Sequence, residues 1–301
     1  MPSLLNNLKL RARIIQAIRT FFESSGFLEV ETPLRIPANA PEEHIEPLRS
    51  GELYLQTSPE LCMKRLLCRG HDRIFQICRC WRGDERGSRH IPEFTMLEWY
   101  RSRSDYEALM KDCEQLLQYV AKSCFASSTV CYDSITIALN ETFTRVSVRD
   151  AFNVYADVTM EDAVGDGSFD EIMVTQIEPA LVLDKPVLLL DYPIEMAALA
   201  RPKPGNPAVA ERFELYAGGL ELANGFSELN DPVEQRLRFL AANRRRNRNG
   251  LPPLPIPEPF LRELANMPPS AGIALGVDRL VMLFAGATQI DNVIAFTPEE
   301  L

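Results

Sequence analysis

RGDERGSRHIPEFTMLEWY, residues 82–100, sets an arginine-rich turn directly against a strand that carries two carboxylates and a phenol. Extended chain alternates its side chains, so in EFTMLEWY the residues Phe94, Met96, Glu98 and Tyr100 share one side. Glu93, Thr95, Leu97 and Trp99 share the other. An aromatic ring, a carboxylate and a phenol therefore point the same way. An ordinary strand with its polar side toward water would satisfy this pattern. The segments around it suggest a different use for that polar side.

Upstream, Leu10, Ile14, Ile15, Ile18, Phe21 and Phe22 recur at helical spacing, and Gly26 supplies a C-terminal stop, which predicts a helix over 7–25 followed by the short strand FLEVETP. YLQTSPE and DRIFQICRCWR read as strand pieces, with a short helix in MKRLLCRG between them. Downstream, Ser104-x-x-Glu107 reads as a capping box before an apolar run, giving a helix to about Ser123. Residues 124–180 are weakly patterned, with helices expected around 146–155 and 168–180. VLLLDYP is a buried strand by composition, and RPKPGNP, residues 201–207, a loop. Strands, helices and strands again, without regular βαβ alternation or a G-x-G-x-x-G loop, predict an α+β fold: a mainly antiparallel sheet with helices packed around it.

The 301-residue chain is long enough to bury a large core, and its 46% hydrophobic and 25% charged content is ordinary for a globular protein. No stretch approaches the roughly 18 apolar residues of a membrane span, and the N-terminus has no apolar segment of the secretory kind. The seven cysteines lack zinc-type pairing and read as reduced, mostly buried thiols, so a cytoplasmic protein is expected. A net charge of −10 argues against bulk electrostatic binding of nucleic acid. The basic run Arg244 to Arg248 ends a helix that starts near Asp231; it reads as a solvated helix terminus or a dock for an acidic partner.

In ERFELYAGGLELANGFSEL, Gly218-Gly219 reads as a two-residue hairpin turn. That turn sets Tyr216 opposite Glu221 and Glu214 opposite Ala223, with Glu214 and Glu221 diagonal neighbours on one face. They are either surface glutamates or a pair that holds a hard cation such as Mg²⁺ against substrate phosphates. Glu228 would alternate onto the other face unless a bend at Asn224-Gly225 returns it. Near the C-terminus, GIALGVDR sets Gly272 and Gly276 before a helix that opens with Asp278-Arg279, an arrangement suited to polyphosphate.

Together, CRCWRGDE, HIPEFTMLEWY, GLELANGFSEL and GIALGVDR resemble motifs 2 and 3 and the metal hairpin of class II aminoacyl-tRNA synthetases of the lysyl branch, and FFESSGFLEVETP resembles motif 1, a dimer-interface element. The likeness runs from about residue 7 to 297 and is poorest near 124–205. It is similar in particular to the freestanding paralogues of that branch. A lysyl-tRNA synthetase carries an anticodon-binding domain ahead of motif 1, whereas here the motif 1 helix begins almost at the first residue, so one catalytic domain over 1–301 is expected. The resemblance implies ATP and Mg²⁺ as cofactors, lysine or β-lysine as substrate, a homodimer, and translation elongation factor P as acceptor rather than tRNA. Rival readings are a lysine-activating enzyme that charges tRNA or a small acceptor, and a non-catalytic paralogue.

By the same resemblance Arg82 grips the α-phosphate, Phe94 stacks on adenine, Arg279 holds the terminal phosphates, and Glu214 with Glu221 binds Mg²⁺. His90, Ile91, Leu222 and Gly276 belong to the nucleotide side. TSPELCMKRLL resembles a substrate loop, contributing Ser58, Pro59 and Glu60; Glu60, Glu98, Tyr100 and Glu228 form the lysine pocket, with Ala274 where lysyl-tRNA synthetases typically have glycine. Two departures stand out. The usual glutamate two places after Arg82 is Asp84, with Glu85 beside it, which leaves open which carboxylate reaches the nucleotide. Ile91 replaces an asparagine, so only a backbone contact to adenine survives there.

Overall fold

The computed structural model describes residues 3–301. Eight strands form the central sheet: β1 (Leu28–Glu29), β2 (Arg73–Trp81), β3 (Glu93–Ser102), β4 (Thr144–Ser147), β5 (Val187–Leu190), β6 (Arg212–Ala217), β7 (Leu220–Ser227) and β8 (Ser270–Gly276). Their spatial order is β1-β2-β3-β8-β7-β6-β5-β4. Every interior pairing is antiparallel; only the outermost strands, β1 against β2 and β4 against β5, run parallel.

The faces of β3 divide as alternation requires. Leu97 and Trp99 enter a core built from α1 (Leu4–Ser24), α3 (Tyr106–Phe125) and α5 (Val277–Ala285), where Phe22 stacks on Phe75. The opposite face is roofed by α2 (Glu60–Cys68), α4 (Pro232–Arg248) and the helix Glu258–Leu264, with Tyr100, Leu61, Phe239 and Phe260 in a second cluster. The sheet is thus dry on both sides, and polar groups on the Tyr100 face are enclosed.

Several local expectations change. Asp105, not Ser104, caps α3: its carboxylate accepts from the N–H groups of Glu107 and Ala108, and the helix continues to Phe125. An aspartate accepts these bonds with a full charge at the positive helix end, so it displaces the neighbouring hydroxyl. RPKPGNP is a small hairpin rather than a loop, Pro202–Lys203 against Asn206–Ala210, turning at Gly205 with φ +81°. The weakly patterned middle contains the helix Val148–Tyr155 and a helical run from Phe169 to Ala180 interrupted by a π-turn, but also an unforeseen helix, Met160–Asp166, a hairpin at 129–138, and edge strand β4.

The basic run is solvated only in part: Arg244 and Arg248 are exposed, whereas Arg245 and Arg246 are engaged. Arg246 is fully buried and donates to the carbonyls of Glu42, Ile45 and Pro252 and to the Glu46 carboxylate, while Arg245 pairs with Glu43. Partners about two hundred residues away in sequence thus neutralise two of its four arginines. Of the cysteines, Cys80, Cys113 and Cys124 are buried, and Cys131 is exposed.

Candidate active site

Between β3, β7, β8 and the segments 42–60 and 82–91 lies a cavity of about 290 Å³. Its floor is the polar side of the opening stretch: Phe94, Met96, Glu98 and Tyr100 all line it. At one end Glu98, 1% exposed, accepts from Ser58 Oγ at 2.5 Å and from the Tyr100 hydroxyl at 2.8 Å. Burial pushes its carboxyl up to about 8, helped by Glu60 and opposed by the two hydroxyl donors. Glu228, 2% exposed, is pushed up to about 7, chiefly by burial. Its Oε1 has no hydrogen-bond partner among the described residues. An orphaned carboxylate oxygen in so dry a place awaits a cation or a donor.

A one-residue slip in the hairpin brings Glu228 there. Gly218 and Gly219 form the expected turn, with φ +58° and +75°, and Tyr216 faces Glu221. Leu215 then pairs with Ala223, so Leu222 is an extra residue and Glu214 faces Asn224 rather than Ala223. A bulge of this kind reverses the alternation of everything beyond it. Asn224, Phe226 and Glu228 therefore follow Glu221 onto the cavity side. The chain from Ala223 to Ser227 keeps continuous register with β8, so no bend at Asn224-Gly225 is involved.

Lys64 was not foreseen. It stands one helical turn from Glu60 on α2, 1% exposed, with Nζ 3.0 Å from Glu60 Oε2, 2.8 Å from Glu228 Oε2 and 5.1 Å from the centre of the Phe226 ring. Burial works against its charge, but the two carboxylates overcome this and raise its pKa. The i, i+4 spacing of Glu60 and Lys64 was the available signal. Glu42 was also missed; it lines the cavity on a loop with no regular pattern.

At the other end Arg82 lies over the Phe94 ring, 5.2 Å from its centre, and 3.8 Å from Glu85. Arg279 donates to the Glu221 carbonyl at 2.8 Å, to Glu221 Oε2 at 3.0 Å and to His90 Nε2 at 2.5 Å. Burial, then the charge of Arg279, lowers the His90 pKa, which favours the neutral ring as acceptor. Ile91, Leu222, Ala274 and Gly276 also line the cavity, as do Ser58 and Glu60. Glu85 lines it and Asp84 does not; Asp84 sits at φ +61° in the turn. Pro59, the residue before α2, and Glu228 and Glu214 are not part of the wall itself.

Glu214 is 8% exposed, with Oε1 2.6 Å from Arg212 and Oε2 accepting from Tyr192 at 2.7 Å and Tyr216 at 2.6 Å. Arg212 and Arg279 are thus the positive charges beside the two glutamates. Among the described residues no group of three metal-ligating side chains forms a ready-made cage. A Mg²⁺ ion that arrives on substrate phosphates needs only one or two carboxylates. Glu221, on the wall with one oxygen engaged by Arg279, fits that role, and Glu214 stands behind it.

The model of class II tRNA synthetases (D, K and N) matches residues 1–300. The chain belongs to this family. Curated relatives named elongation factor P (R)-β-lysine ligase include those of Erwinia tasmaniensis, 41% identical over 97% of this chain and 94% of the relative. Those of Proteus mirabilis (96% of this chain) and Enterobacter sp. (97%) are each 42% identical and covered over 94% of their length. The sheet accounts for the site: β3, β7 and β8 are among its middle strands, and Arg82 and Arg279 stand at one end of the cavity they floor. Among the described residues no helix is long and apolar enough to cross a membrane.

Proposed function

We propose that this chain is an ATP-dependent, AMP-forming ligase that activates (R)-β-lysine and transfers it to a lysine side chain of translation elongation factor P. The observation that carries this reading is the acidic end of the cavity, where Glu98 and Tyr100 line the wall and Glu228 stands behind them with an orphaned oxygen, away from Arg82 and Arg279. A terminal ammonium satisfies such a pocket through charge-assisted hydrogen bonds. The relatives' printed name supports the substrate and the acceptor.

In the first step a substrate carboxylate oxygen attacks the α-phosphorus of ATP, and pyrophosphate leaves. Arg82 and Arg279 neutralise charge that grows on the phosphoryl oxygens, and Phe94 offers a face for adenine. Mg²⁺, held by Glu221 with Glu214, would supply Lewis-acid stabilisation of the phosphates. In the second step the neutral amine of the acceptor attacks the adenylate carbonyl carbon; AMP leaves, an amide forms and the amine loses a proton. The site would act as a homodimer in the cytoplasm, with the segment 7–34 at the interface. Leu28 and Leu34 in that segment, and Leu4 and Leu5 just before it, expose apolar side chains. Light scattering at micromolar concentration should give twice the chain mass.

Exchange of labelled pyrophosphate into ATP, run separately with β-lysine and α-lysine, tests the assignment, and Glu221→Gln should nearly abolish it while keeping the fold. A mass increase of elongation factor P by one lysyl unit tests the acceptor. Exchange with α-lysine alone, together with charging of tRNA, would establish the aminoacylating alternative instead.

A further inference from the structure

The loop between the short strands Arg35–Ile36 and Arg49–Ser50 carries three glutamates, Glu42, Glu43 and Glu46, and two of them are accounted for. Glu43 pairs with Arg245 and Glu46 with Arg246. The Glu42 side chain, half-buried on the cavity wall, makes no hydrogen bond or ion pair among the described residues. Its position is nonetheless held: buried Arg246 donates to the Glu42 carbonyl at 3.1 Å and to the Ile45 carbonyl at 2.9 Å. A fixed backbone that presents a carboxylate without a protein partner to a polar cavity leaves it able to pair with a ligand cation.

Its surroundings indicate which cation. Glu42 shares the cavity wall with Glu60, Arg82, Glu98 and Tyr100. Arg82 marks the end where the substrate carboxylate meets phosphate, and Glu98 and Tyr100 mark the end where a terminal ammonium is held. The loop that carries Glu42 is tied to the Arg82 turn, where the Gly83 N–H donates to the Glu46 carbonyl at 2.7 Å. An amino acid with two ammonium groups, oriented this way, directs its backbone amine to the Glu42 side.

We propose that Glu42 is a specificity-determining carboxylate that, with Glu60, receives the backbone ammonium of the amino-acid substrate. This inference rests on the lysine-activating reading above. It gives separate acidic groups to the two substrate amines, and makes Glu42 a contact whose value depends on where the backbone amine is attached. Burial pushes the Glu42 carboxyl up to about 7, and the Glu60 charge adds to this, so an incoming ammonium ionises it fully.

Calorimetric titration of wild type, Glu42→Gln and Glu42→Asp with β-lysine and with ε-aminocaproate, which keeps the terminal amine and lacks the backbone amine, tests this. A charge-assisted bond predicts that Glu42→Gln weakens β-lysine binding by about tenfold or more. Glu42→Asp should lie between that variant and wild type, while the weaker affinity for ε-aminocaproate and the affinity for ATP stay within about twofold. Equal β-lysine affinity in wild type and Glu42→Gln would overturn the proposal, as would an equal loss for ε-aminocaproate. If wild-type protein does not bind β-lysine, the functional reading itself has failed, and this inference with it.

Discussion

Gly272→Ala tests whether the buried end of the cavity is where the substrate side chain goes. Gly272 lies on β8 directly opposite Tyr100 on β3. A Cβ placed there would be 2.1 Å from Tyr100 Cε1 and 2.4 Å from Glu228 Oε1, whereas ordinary contact begins near 3.4 Å. The ring must therefore retreat by 3.4 − 2.1 = 1.3 Å. It is 3% exposed and tied to Glu98 at 2.8 Å, and the open space beside it is the cavity that it lines. Overpacking of this kind costs about 1–3 kcal/mol of stability. The functional cost should be larger, because a shift of about 1 Å in a positioning group lowers catalytic efficiency by about 10²-fold. Thermal denaturation should show a midpoint lowered by a few degrees. Pyrophosphate exchange should show kcat/KM for β-lysine down by about two orders of magnitude, with ATP affinity near wild type because Arg82 and Arg279 stand at the other end. A variant that keeps wild-type affinity for β-lysine would refute the placement of the terminal ammonium at Glu98, Tyr100 and Glu228. Equal loss of ATP and β-lysine binding would show general damage instead.

Ala274 lines the cavity opposite Glu98, so Ala274→Gly should open space beside the substrate backbone and raise activation of α-lysine relative to β-lysine by about 10- to 200-fold; unchanged relative kcat/KM would reduce the methyl group to packing. Glu98 (about 8), Glu228 and Glu42 (both about 7) stand above the ordinary carboxylate value, so the unliganded fold holds protons that the unfolded chain releases. Their stabilisation is complete below about pH 4.5 and is lost as pH rises through 7 to 8, while β-lysine, which binds the ionised forms, should stabilise more as pH rises through the same window. Melting curves with and without β-lysine between about pH 5.5 and 8.5 check both trends, and a ligand-induced shift that does not grow with pH would contradict them. Arg246→Ala should destabilise the fold by about 3–5 kcal/mol in denaturant titration, because it strands three carbonyls and the Glu46 charge. Arg244→Glu, at an exposed position, should change stability by less than about 0.5 kcal/mol.

How much could be read in advance varied from segment to segment, and the reason is the range of the interaction that decided each one. The two faces of β3, the Gly218-Gly219 turn and the α5 start at Val277 all follow from backbone periodicity or from glycine conformations within a few residues. Their side chains were accordingly placed correctly, with Phe94, Met96, Glu98 and Tyr100 on one surface. The resemblance to the synthetases named the family because these same local patterns were combined in one order along the chain.

What tertiary structure alone decided is whatever depends on a partner far along the sequence. Whether β7 carries a bulge at Leu222 is set by its simultaneous pairing with β6 and β8, and that one extra residue determines which side Glu228 faces. Arg246 looked like free charge because its carboxylate partner and two of its three carbonyl partners lie about two hundred positions earlier. Lys64 between Glu60 and Glu228, and Glu42 without a protein partner on the cavity wall, are arrangements of charge in a space that exists only once α2, α4 and the sheet enclose it. Burial cannot be computed from neighbours in sequence, and it is burial that turns these ordinary side chains into groups with shifted ionisation and unsatisfied oxygens.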